Sequence, residues 1–267
     1  MIDPTQRFTS RVEDYVRFRP SYPQEVIALL REECGMKQGS TVADIGSGTG
    51  IFSRLMLESG ARVIGVEPNS AMRSTQEKHL ENYPGFTSVD GTAEATTLKP
   101  ASVDLITCAQ SAHWFDWARS LSEFRRILKP DGFVVFLWNH RRPEASAVDR
   151  EYEESVLRFC TDYAEVKRRG QAAEEFVGQI AAEKRVLENH QLLDYEALAG
   201  YLLSSSYAPQ AGEPGHAALL AALRTLFDRH SKEGVVRMHY HTNLYYARLV
   251  GDGHWEPHPT SPGNRRT

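Results

Sequence analysis

The residues best suited to chemistry lie in one short run, Asp44-Ile45-Gly46-Ser47-Gly48-Thr49-Gly50, followed about 20 residues after the glycines by Glu67. Glycines two apart permit positive φ and let backbone N–H groups approach ligand atoms that any Cβ would push away. Glu67 closes the run Arg62-Val63-Ile64-Gly65-Val66, where a carboxylate can accept from both hydroxyls of a ribose. Together the two signals describe a site for an adenosine cofactor. They need particular elements around them: a buried strand over 41–46 running into a helix over about 50–59, and a second strand over 62–67.

The loop also discriminates between cofactors. A dinucleotide site uses G-x-G-x-x-G, whereas this loop reads G-x-G-x-G with Ile51 where the third dinucleotide glycine would fall. Asp44 adds a negative charge at the mouth of the loop, which opposes a pyrophosphate and suits the cationic amino group of a methionine moiety. The pattern therefore favours S-adenosylmethionine over NAD.

Four segments in order, Val42–Gly50, Gly65-Val66-Glu67-Pro68, Gly91-Thr92-Ala93-Glu94 and Val103–Gln110, resemble the motifs of class I S-adenosylmethionine-dependent methyltransferases. The resemblance is to the small-molecule branch with the ubiquinone-type and trans-aconitate-type enzymes, and it covers roughly residues 8–250. It implies that Glu67 holds the ribose, that Thr92 and Ala93 line the adenine, and that Asp44 with Gly46, Ser47, Gly48 and Gly50 holds the methionine portion. Pro68, Met72, Glu94 and Gln110 fall among the implied cofactor contacts. Thr92 departs from the aspartate often found at its position, so adenine would be held through Oγ and water. The segment Tyr15–Pro23 resembles the family's aromatic and basic amino-terminal lid. There Tyr15 and Arg19 are implied contacts to the cofactor carboxylate or to substrate, and Tyr22 a pocket hydroxyl. The implied reaction is transfer of a methyl group to a small-molecule acceptor, an oxygen acceptor being favoured over nitrogen or carbon.

His113 and Trp114 follow the fourth strand, at the edge where open α/β sheets bind ligands. His113 is a candidate base or orienting group; Trp114 is a candidate pocket wall or partner for a sulfonium face-on to its ring. Arg141 or Arg142, leaving the fifth strand, is a candidate clamp for an acidic substrate, and Ser204–Tyr207 supplies hydroxyls that could face the site. His239 and His241 share a strand face but lack neighbouring carboxylates or thiols, so no metal is expected.

Alternation of strands and helices predicts an α/β, doubly wound Rossmann-like sheet with a helical cap insertion. Lys129-Pro130-Asp131-Gly132 reads as a tight turn before an apolar strand over 133–138. The runs 235–241 and 242–250 read as a terminal antiparallel hairpin. Val148, Tyr152, Val156, Phe159, Tyr163 and Val166 mark one long amphipathic helix, and Val186–Leu193 a short strand or loop. The expected organisation is a lid over 1–40, a cofactor-binding core over 41–142 and 215–250, a cap over 143–214 and a flexible tail over 251–267.

With 267 residues, 41% apolar content and a net charge of −4, the chain can bury one sizeable core and carries no electrostatic footprint for nucleic acid. Three separated cysteines, no secretory leader and no long apolar run predict a soluble cytoplasmic protein without disulfides, a monomer or homodimer acting away from membranes. Two other readings stay open: a protein that binds S-adenosylmethionine without transferring its methyl, and an NAD oxidoreductase.

Overall fold

The computed structural model describes residues 17–180, 183–250 and 254–256. The chain divides into two compact units, one formed by Met1–Pro23, Asn139–Ala172 and Leu187–Thr242, the other by Gln24–Trp138, Ala173–Val186 and Asn243–Thr267.

The second unit holds the strands β1 (Thr41–Ile45), β2 (Arg62–Val66), β3 (Phe86–Val89) and β4 (Val103–Ala109), and most of β5 (Leu128–Arg141). Helices α1 (Glu25–Glu33), α2 (Ile51–Glu58), α3 (Ser70–His79) and α4 (Trp117–Ile127) belong to it as well. Strands β6 (Glu183–Leu193) and β7 (Val236–Val250) start in one unit and end in the other, and β8 (His254–Glu256) follows. The sheet order is β3-β2-β1-β4-β5-β7-β6, with β8 against β7. Pairs β1–β2, β2–β3, β1–β4 and β4–β5 are all parallel. Successive strands move outward from β1 to β3, and the chain then returns to lay β4 on the other side of β1. That reversal opens a crevice at the carboxyl ends of β1 and β4, where such sheets take their ligands. Strand side chains such as Ala43, Ile45, Ile106, Cys108, Val134 and Phe136 are buried, as a sheet covered on both faces requires.

Short polar side chains start the helices. Asn69 accepts from Met72 N at 3.0 Å to begin α3, and Asp116 accepts from Arg119 N at 3.3 Å to begin α4.

The first unit packs α5 (Ala147–Phe159), the start of α6 (Tyr163–Ile180), α7 (Tyr195–Leu203) and α8 (His216–His230) around Tyr152, Val156, Leu198, Leu202, Leu223 and Tyr240. No helix among the described residues is long and apolar enough to cross a membrane.

Three sequence expectations are corrected. The runs 235–241 and 242–250 form one strand of 15 residues, not a hairpin. Val236, Met238, Tyr240, Thr242, Leu244 and Tyr246 are all buried, so the period of two passes through His241-Thr242 unbroken, and neither residue supplies the positive φ of a two-residue turn. The single long helix is two, parted at Cys160–Asp162, where Cys160 is extended at φ −110° and ψ 96°. Lys129–Gly132 lies within β5 as a bulge: Val103 pairs with Leu128 but Leu105 pairs with Phe133, and Asp131 takes φ 67°. Val186–Leu193 belongs to a strand of 11 residues whose exposure alternates along most of its length.

Candidate cofactor site

The glycine loop leaves β1 at Ile45 and ends at Gly50, the N-cap residue of α2. Gly46, Gly48 and Gly50 have φ of 66°, 58° and 87°, the left-handed region that side chains with a Cβ avoid. Gly46 N and Ser47 N donate to Val66 O at 2.8 and 3.2 Å, which ties the loop to the end of β2. On its other side, a Cβ at Gly46 would sit 2.5 Å from the Cβ of Ser111, whose hydroxyl donates to Ile45 O at 2.6 Å. The loop is thus a tight backbone cradle in which a Cβ at Gly46 or Gly50 would strike packed side chains, Ser111 in the first case and Leu80 and Gln76 in the second.

Glu67 stands beside this cradle. Its Oε2 accepts from Gly48 N and its Oε1 from Asn69 N, both at 2.9 Å. Each carboxylate oxygen has two lone pairs, so one acceptor site per oxygen is still open, the number that two ribose hydroxyls require. The chain's own residues thus fit an adenosine group. Burial pushes the Glu67 pKa up against the opposing pull of those two N–H groups and of Arg73. Arg73 also donates to Glu67 O at 2.8 Å and pairs with Asp90 at 3.0 Å, which fixes the turn after β2.

Asp44 is buried one residue before the end of β1, where the loop begins. Its Oδ2 accepts from Ser53 at 2.6 Å and its Oδ1 from Thr107 at 3.0 Å, a pairing set by the register of Asp44 opposite Thr107 in the β1–β4 ladder. Gln76 extends the network, donating to Ser53 Oγ at 3.3 Å and accepting from Ser47 Oγ at 3.2 Å. Burial raises the Asp44 pKa to about 6 from 3.8, the hydroxyl donors opposing it and the charge of Glu67 adding to it. The folded protein thus takes up this proton more readily than the unfolded chain. Its contribution to stability is complete below about pH 4 and is lost as the pH rises through about 6, roughly 3 kcal/mol in all. Asp44→Asn is expected to abolish that loss: denaturant midpoints of the variant should gain on the wild type across pH 4–7, and parallel profiles would contradict the assignment.

The methyltransferase-domain family matches residues 43–136, the span from β1 into β5 that carries this site. A Mycobacterium bovis protein, named as an uncharacterised methyltransferase, is 32% identical over 228 residues, 85% of this chain and 88% of its own. The chain is a class I S-adenosylmethionine-dependent methyltransferase.

A solved structure from Anaeromyxobacter dehalogenans, described as a type II methyltransferase, shares 28% identity with this methyltransferase. It superposes with a TM-score of 0.66 over 86% of this chain and 98% of its own. A fission-yeast relative, Schizosaccharomyces pombe, likewise named as an uncharacterised methyltransferase, is 32% identical over 135 residues, half of this chain. This methyltransferase spans about half, 53%, of that relative's length. S-adenosylmethionine is its cofactor.

The remaining sequence-predicted site residues of the methyltransferase fall into two groups. Met72 is buried on α3, its Sδ 3.8 Å from where a Gly48 Cβ would lie, and Pro68 follows Glu67 in the turn. Thr92 and Ala95 pair backbone to backbone at 3.2 Å around a buried Ala93. Glu94 points its Oε1 at the start of α4, accepting from Asp116 N at 2.8 Å and Ser120 Oγ at 3.2 Å. Gln110 directly follows β4 with φ 59°, a strained conformation for a residue with a side chain, held by its N–H on Leu137 O at 2.9 Å. The next residues form a 3₁₀ turn, Ala112–Trp114, where the rings of His113 and Trp114 lie 4.8 Å apart. All of these belong to the unit of the glycine loop. Arg19 and Tyr22 belong to the other unit, where Arg19 donates to Ser205 Oγ at 3.1 Å and Tyr22 is buried; Tyr15 lies outside the described residues. His239 is engaged by Asp149, N to Oδ1 at 2.9 Å and Nδ1 to Oδ2 at 2.7 Å.

Sequence reasoning missed Ser53, Gln76, Thr107 and Ser111, the polar shell that shapes the loop of the methyltransferase. Ser53 and Thr107 were detectable as lone hydroxyls in otherwise apolar positions of α2 and β4, where a buried polar atom demands a partner. Gln76 carries no such mark, because α3 is polar on most sides.

Proposed function

We propose that this methyltransferase methylates an oxygen, carboxylate or hydroxyl, of a small organic molecule. The observation that carries the reading is the turn after β4. Directly beyond the strained Gln110 it sets an imidazole against an indole, both half-buried, at the carboxyl edge of the sheet. An ionised carboxylate needs no base, and a hydroxyl acceptor can pass its proton to His113. Trp114 would wall the reacting group from water, so that acceptor orientation supplies most of the acceleration. In this reading Glu67 holds the ribose, Thr92 and Ala93 flank the adenine, and Asp44 with the Gly46–Gly50 backbone takes the methionine end. When bound, the cofactor supplies an electrophilic methyl on a sulfonium. A net charge of −4 supports a small acceptor over a nucleic acid.

The test is release of S-adenosylhomocysteine with phenols, hydroxy acids, carboxylic acids and primary amines as acceptors, with the methylated product identified by mass spectrometry. Methyl ethers or esters are expected; methylation confined to amines would overturn the oxygen assignment. The Asp44 role makes a second demand on the same protein. With a cationic amino group as partner, cofactor affinity should fall as the pH drops through about 6, and Asp44→Asn should flatten that dependence.

A further inference from the structure

The first unit contains a buried basic cluster that the methyl-transfer reading does not use. Arg141, at the end of β5, donates through Nη2 to Glu153 Oε2 at 2.7 Å and to Tyr163 Oη at 2.8 Å, and through Nη1 to Tyr207 Oη at 3.0 Å. Its guanidinium lies 5.0 Å from the ring centre of Tyr152 and 5.4 Å from that of Tyr163. Glu153 is shared, since its Oε1 also takes Lys167 at 2.8 Å and the Tyr163 hydroxyl at 2.7 Å. One carboxylate therefore serves two cations. Arg19 adds its guanidinium 5.5 Å from the ring centre of Tyr201.

Among the described residues, Arg141 Nε and the hydroxyl of Tyr152, a side chain with no exposure at all, are buried donors without a partner. An unsatisfied buried polar group costs about 1–3 kcal/mol, and a core meant only to pack would place leucine or phenylalanine at 152. Both groups would be satisfied by an acceptor carrying negative charge. The field agrees: burial raises the Tyr207 hydroxyl pKa, but Arg141 and Arg19 outweigh it and bring it below its ordinary value. Arg19 and Tyr207, the other members of the cluster, are only half-buried. The surrounding side chains, Tyr201, Tyr240, Val156 and Met238, are aromatic or apolar, which selects an organic anion over a strongly hydrated inorganic one.

We propose that Arg141 and Tyr152, with Arg19 and Tyr207, bind the carboxylate of a small organic acid. The carboxylate is a recognition handle there, because pairing with a guanidinium makes it a poor nucleophile. This binding site does not rest on the proposed function.

The test measures binding without any methyl donor. Thermal unfolding of the full-length protein is followed with benzoate, 3-phenylpropanoate and glutarate, each beside its neutral amide. At least one carboxylate is expected to stabilise the protein saturably while its amide does not. Tyr152→Phe should leave the midpoint of the ligand-free protein unchanged or raised, since its hydroxyl makes no bond, yet weaken the carboxylate about tenfold. Arg141→Gln with Glu153→Gln, which removes the charged pair together and leaves neither member buried alone, should abolish the response. No carboxylate acting beyond its amide, or an equal response in the Tyr152→Phe protein, would overturn the proposal. Carboxylate binding without any oxygen methylation would strike the proposed function and leave this site standing, whereas methylation of neutral phenols without carboxylate binding would remove this site alone.

Discussion

Gly46→Ala is expected to destabilise the protein by about 2–4 kcal/mol and to eliminate measurable S-adenosylmethionine binding. Two costs add. An alanine forced to φ 66° pays about 1 kcal/mol or more that glycine does not. Its Cβ would also fall 2.5 Å from Ser111 Cβ, so Ser111 must move and surrender its 2.6 Å bond to Ile45 O, an overpacking of the kind that costs about 1–3 kcal/mol. The neighbour gives a check on the mechanism. Combining the change with Ser111→Gly removes the steric part but not the backbone strain, so the double variant should recover part of the lost stability. Urea midpoints and titration calorimetry read both quantities, and a Gly46→Ala protein with the midpoint and affinity of the wild type would show that the loop tolerates a side chain.

Glu67→Ala is expected to weaken S-adenosylhomocysteine binding by about 100- to 1000-fold, corresponding to about 3–4 kcal/mol for the loss of two charged hydrogen bonds to ribose. The same substitution leaves Gly48 N and Asn69 N without their acceptor, and this alters the ligand-free protein as well. Glu67→Gln separates the two effects. Burial already raises the pKa of Glu67, so a neutral isostere relieves that penalty, but its amide nitrogen cannot accept from whichever of Gly48 N and Asn69 N it faces, and the stability should fall by about 1–3 kcal/mol, less than in Glu67→Ala, which loses both acceptors. It retains one acceptor oxygen, and the affinity should fall by about tenfold. Calorimetry on both variants decides the matter, since undiminished affinity in each would remove Glu67 from the ribose.

Some of this molecule was legible in its sequence because the signal was local. The glycines announce a backbone conformation that only their own φ angles decide, and the strand before them and the helix after them repeat apolar residues at periods of two and 3.6. Asn69 and Asp116 begin helices by chemistry complete within three residues. Glu67 could be placed because a strand of fixed rise ends there, beside the strand that ends at the loop.

What the tertiary structure alone decided involves choices to which a local pattern is indifferent. A period of two reads the same whether 235–250 folds back or runs on, and only the burial of one continuous face makes it a single strand. The spacing from Phe159 to Tyr163 to Val166 suits one helix as well as two, and the extended Cys160 breaks it. That β7 stands between β5 and β6 follows from backbone pairing between strands far apart in sequence. The polar partnerships belong to the same class: Asp44 with Thr107, Glu94 with Asp116, and Arg141 with Glu153 and three tyrosines all join residues that the chain separates by nine or more positions. A side chain's type fixes what it can donate or accept, but its partner is chosen by the packing that brings two distant segments within about 3 Å and excludes water from between them.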